Sequence, residues 1–166
     1  MNRWTMALAI PLAMALGGCF ISETPLIGAE EAVFPFETIS YKQGNEEKPA
    51  ELVRDGDTYV IPDPEGKVRV EVRFKDLGDG LYLAQMSGEE DGKLSILYAV
   101  LKVDFDKKTA ESYKAVGKDE FVREGLRKCG DGSLCIDNLD VYLDLARSAI
   151  AAGEQPDITY EILSTK

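Results

Sequence analysis

The chain has 166 residues, 45% of them apolar, with 19 basic against 30 acidic side chains, a net charge of −11 and no histidine. So acidic a surface repels phosphate backbones and anionic head groups, which excludes nucleic-acid binding. Without histidine the chain lacks the usual general base, the usual partner of a serine or cysteine nucleophile, and the commonest zinc ligand.

At the N-terminus, Arg3 is the only charged side chain before Cys19, and Met6 to Leu16 form an apolar run. The run has the length of a secretory apolar segment and falls short of the ~20 residues that a spanning helix needs. It ends in Leu16-Gly17-Gly18-Cys19, a large residue, two small ones and a cysteine. This stretch resembles the lipobox of bacterial lipoproteins. The resemblance implies a signal peptide over 1–18, cleavage after Gly18, a diacylglyceryl group on the Cys19 thiol and an acylated, palmitate-type N-terminus. The chain would then face the periplasm on a lipid anchor, the membrane being its partner through that lipid. Phe20 stands where an aspartate retains many such lipoproteins at the inner membrane, which favours the outer membrane. Loss of Arg3 would leave 18 basic against 30 acidic side chains, a net −12.

From Phe20 to Ala32 no period is visible, and Ser22, Pro25 and Gly28 interrupt the chain; residues 19–32 therefore read as a flexible tether. A single domain is expected over 33–166, beginning with Val33-Phe34-Pro35-Phe36. Thr38 to Gln43 alternates, with Ile39 and Tyr41 on one face. Ala50 to Val53 and Asp57 to Ile61 flank the hairpin signal Arg54-Asp55-Gly56. Lys67 to Lys75 keeps period two for nine residues, Val68, Val70, Val72 and Phe74 against five charged ones, the mark of one wet and one buried face. The segments 81–87 and 94–105 are apolar on both faces, apart from Gln85, so both are expected to be central and covered on each side. Thr109 to Val116 is a weaker strand.

The pattern then changes. Asp119 to Lys128 reads as a short helix, acidic in its first turn and basic in its last. Asp137-Asn138 caps a longer one, with Leu139, Tyr142, Leu143, Ala146 and Ile150 as its stripe and Gly153 at its end. Asp157 to Leu163 alternates again as the closing strand. Between the two helices lie Cys129 and Cys135. In an exported chain this even pair is expected to form a small structural disulfide. A redox or metal role fits less well: the spacing is not C-x-x-C, and two thiolates cannot close a zinc site. The fold class is thus α+β: a mainly antiparallel meander of about eight strands, curled into a sheet or half-barrel, with a disulfide-linked helix pair near the C-terminus.

No phosphate-binding, nucleophile-elbow or dinucleotide motif occurs, and the acidic clusters at Asp76–Gly80, Glu89–Asp91 and Asp131 with Asp137 do not match a calcium loop. No catalytic residue, metal or cofactor is expected. The mature part is similar to small envelope lipoproteins that pair a tyrosine-containing meander with a C-terminal cysteine pair, a resemblance that brings no activity. Two functions are expected. The first is a non-catalytic interaction or assembly module with an envelope protein partner. The alternative is a carrier for a small apolar ligand held between 81–87 and 94–105, near Tyr82, Tyr98 and Tyr113. Helix 138–151 covering those strands favours the first.

Overall fold

The computed structural model describes residues 18–44, 46, 48–62, 69–90, 92–130 and 132–166. The apolar run Met6–Leu16, the Leu16-Gly17 half of the lipobox stretch, Lys67 and Val68, Asp91 and Asp131 lie outside these residues. Period-two alternation produces β2 (Thr38–Gln43), β3 (Ala50–Asp55), β4 (Thr58–Ile61), β5 (Val70–Gly78), β6 (Leu81–Glu90), β7 (Lys93–Asp104), β8 (Thr109–Tyr113) and β11 (Ile158–Thr165). Each pairs antiparallel with its successor, β8 with β11, and β11 returns to β2 through Tyr160↔Gln43 and Ile162↔Tyr41. The sheet expected as a half-barrel is therefore a closed, eight-stranded antiparallel barrel. Closure leaves no strand edge among these eight to pair with another chain.

Outside the barrel stand β1 (Phe20–Ile21), β9 (Leu126–Cys129), β10 (Ser133–Ile136) and the one α-helix among the described residues, α1 (Leu139–Ala151). β7 is twelve residues long. Its C-terminal half pairs with β8, and its Leu97-Tyr98 step pairs with β1, which in turn runs parallel to β10. β1 thus joins the β9–β10 hairpin to the barrel wall.

The expected helix pair is corrected to one helix and one hairpin. Over Asp119–Lys128 the chain forms a short 3-10 turn at Asp119–Phe121 and then enters β9. Glu124-Gly125 is a tight turn, with Arg123 and Leu126 exchanging both backbone hydrogen bonds and Gly125 at φ +89°. Only a glycine takes that left-handed position freely, and its missing Cβ would stand 2.9 Å from the Asn138 Cβ. The charge gradient was compatible with a helix; Gly125 was not.

Two apolar clusters lie on opposite faces of β6 and β7. Inside the barrel, Ile39, Leu52, Tyr59, Val72, Phe74, Ala84 and Ile162 pack together. Outside, Leu83, Ile96, Tyr98 and Val100 receive Tyr142, Leu143 and Ala146 of α1 together with Phe20 and Leu134. The two-sided character of these strands reflects helix on one face and lumen on the other. Helix cover and an inner cavity are not alternatives.

The expected tether at 19–32 is also corrected. Phe20 and Ile27 are wholly buried, and the Phe20 ring packs tilted against the Tyr142 ring, 4.7 Å between centroids. The amides of Leu26 and Ile27 both donate to Gln85 Oε1, at 2.8 and 2.9 Å, and the Tyr98 hydroxyl donates to the same oxygen. Each large side chain so buried contributes about 1.5–3 kcal/mol, enough to hold an aperiodic segment against the barrel. Two isolated apolar residues carry no period, which is why the sequence reads as a linker.

Candidate functional site

The inward positions of the barrel do not fill it. They leave an apolar cavity of about 120 Å³, with Tyr41, Phe74, Tyr82, Met86, Leu101 and Tyr160 among its lining. Ala84, Ala99 and Ala110, short side chains on β6, β7 and β8, create the space. Phe105, exposed in the turn after β7, belongs to the same lining and marks an opening to solvent. Near the start of β2 the chain crosses the barrel end. Val33 bridges to Phe74, Phe36 packs 4.7 Å from the Tyr59 ring, and the Tyr59 hydroxyl donates to the Phe36 carbonyl at 2.6 Å. Arg54 stacks over Phe34 at 4.2 Å and pairs with Glu37 at 2.9 Å, closing that corner with an exposed ion pair.

Of the tyrosines expected near a ligand, only Tyr82 reaches the lumen; Tyr98 and Tyr113 are on the outer face of the wall. Tyr98 is tied to Gln85 and Ser22, and Tyr113 donates to Glu111. Tyr41 and Tyr160, which are not singled out by sequence for this purpose, meet edge to face at 5.6 Å inside. Their alternation on β2 and β11 is visible in the sequence. That these two strands are neighbours is not, because Gln43 and its partner Tyr160 stand 117 positions apart in the chain.

Cys19 lies beside β1, bridged to Val116, with its carbonyl accepting from Leu134 at 2.9 Å. The thiol is half-buried, and that burial pushes its pKa up. Just before it, Gly18 is pressed so close to Gly132 that a Cβ would overlap the carbonyl oxygen. Cys129 and Cys135 form a disulfide, with Cα atoms 5.7 Å apart, across the β9–β10 hairpin and not between helices.

Within the acidic clusters, Asp76 accepts from the Gly78 amide and Asp137 pairs with Arg127. Among the described residues no group of three or more metal-ligating side chains converges. No helix among them is long and apolar enough to cross a membrane. A second cavity, of about 170 Å³ and more polar, lies outside the barrel between Pro25, Arg73, Gln85 and Leu94.

Fold and site together define a small closed antiparallel barrel with an apolar lumen and an outer helix. No family model matches the chain, and no curated protein or solved structure is significantly similar to it.

Proposed function

We propose that this protein is a non-catalytic binder of small apolar molecules, held at a membrane of the bacterial envelope by lipid on Cys19. The lined cavity carries the reading. Eight-stranded barrels have an interior just wide enough to be filled by side chains or to hold one small ligand, and here alanines leave room. An engineered apolar cavity of roughly 150 Å³ stays dry and takes up benzene, so the space suits one ring or a short chain. The interaction-module alternative would rest on exposed apolar residues, but among the described residues the large ones are Leu94 on β7, Val122 after the 3-10 turn, Leu163 on β11 and Phe105, which belongs to the lumen's lining.

Toluene titrated into the purified protein should bind once per chain, with saturation and a raised melting temperature. Ala84→Phe, which fills the lumen, should abolish binding; Met86→Trp serves where overpacking at Ala84 costs too much stability. Unsaturable binding, or binding indifferent to both substitutions, would remove the carrier reading. The anchor has its own test. Mass spectrometry should find Cys19 as an acylated N-terminus, and Cys19→Ser should leave the chain unprocessed and unlipidated. An unmodified N-terminus elsewhere would contradict it. With Phe20 packed, a lipid on Cys19 would hold the barrel close against the bilayer, where apolar molecules concentrate.

A further inference from the structure

The seven tyrosines divide into two groups. The hydroxyls of Tyr59, Tyr98, Tyr113 and Tyr142 each donate to a protein oxygen, at 2.6, 3.1, 2.9 and 3.0 Å. Those of Tyr41, Tyr82 and Tyr160 donate to none among the described residues, and these three line the cavity. Apart from their hydroxyls, and the weakly polar Met86 sulfur, the described lining is hydrocarbon. It holds no cation. Acidic groups stand near the phenols instead: Glu46 by Tyr41 and Tyr160, and Asp76 by Tyr82.

We propose that the lumen selects neutral apolar molecules carrying one hydrogen-bond-accepting oxygen, a ketone, ester or ether, which Tyr41 and Tyr160 recognise, and that it rejects carboxylates. The proposal rests on the apolar-binder reading and narrows it to a ligand class. A buried carbonyl without a donor would lose its hydration uncompensated, and the paired phenols supply the donor. A carboxylate would have to shed its water with no positive charge to meet it, beside Glu46, in a molecule of net charge −11. Both phenols are protonated and able to donate at neutral pH, and burial moves them further from titration: it pushes Tyr160 up to about 12, with Tyr41 and Glu46 adding to the effect, and raises Tyr41 in the same direction.

Three single-ring probes of matched size test this by calorimetric titration into the purified protein: ethylbenzene, acetophenone and phenylacetate. Acetophenone should bind, and phenylacetate should bind at least about tenfold more weakly or not at all. Tyr160→Phe and Tyr41→Phe should each weaken acetophenone by about fivefold to tenfold, the worth of one hydrogen bond, while ethylbenzene keeps its affinity. Retained ethylbenzene binding also shows that each variant is folded. If ethylbenzene and acetophenone bind but the phenylalanine variants leave acetophenone unchanged, or phenylacetate binds as well as acetophenone, the selectivity is refuted and the apolar-binder reading stands. If none of the three binds, both fall together.

Discussion

Gln85 has more consequence than its place in the largely apolar segment 81–87 suggests. Its amide oxygen collects the Leu26 and Ile27 amides and the Tyr98 hydroxyl, and it is 2% exposed. Gln85→Leu would bury the Ile27 amide without an acceptor, at about 2–4 kcal/mol for the group of lost bonds. A denaturation midpoint should register that loss, and hydrogen exchange should speed at Leu26 and Ile27; unchanged protection would mean that apolar packing alone holds the segment. Alkali acts on other residues. Burial pushes Tyr113 up to about 12, helped by Glu111, and Tyr160 to the same value. Below the unfolded value of roughly 10 both states are protonated and the full stability is present. Between there and about 12 the unfolded chain sheds its protons first, so stability falls as pH rises. Tyrosinate absorbance followed alongside denaturation midpoints should show phenols that titrate later than in the unfolded chain, with Tyr113, Tyr160 and the wholly buried Tyr142 among the last, and a stability that declines as pH rises above roughly 10. Phenols that all titrate together at the unfolded value would contradict it.

Among the elements, α1 follows its sequence signals closely. Asn138 Oδ1 accepts from the Asp140 amide, Tyr142, Leu143 and Ala146 are buried, and Gly153 takes φ +72° just past the end. The β9–β10 hairpin follows its signals less directly. Cys129 and Cys135, six residues apart, close a short loop on a pair of strands held to the barrel through β1 and through Leu126, Leu134 and Ile136 in the outer core. Loop entropy gives that cross-link about 2 kcal/mol. Cys129→Ser with Cys135→Ser should lower the unfolding free energy read from denaturation curves by that amount and leave toluene binding intact, since the hairpin is outside the barrel. Loss of ligand binding in the double variant would show that the hairpin and the lumen are coupled.

At the scale of the whole molecule, one wall serves two cores. β6 and β7 present Tyr82, Ala84, Met86, Ala99 and Leu101 to the lumen, and Leu83, Ile96, Tyr98 and Val100 to α1 and β1. This arrangement keeps the helix stripe out of the barrel and leaves the lumen free. Local pattern by itself determined all eight barrel strands: alternation, a local consequence of the pleat, marked some, a hairpin signal marked β3 and β4, and two-sided apolar runs between turns marked β6 and β7. The long helix was equally legible, since its cap, stripe and terminating glycine all lie within one segment. Composition determined what the molecule lacks, histidine above all. Only tertiary structure decided that the meander closes, because β11 finds β2 across most of the chain's length, and no local pattern encodes that pairing. It also decided that residues 20–32 pack, through burial of Phe20 and Ile27 with no period to announce them. The Tyr41–Tyr160 pair has the same origin: each lies on an ordinary alternating strand, and they become a site only where barrel closure sets two distant strands side by side.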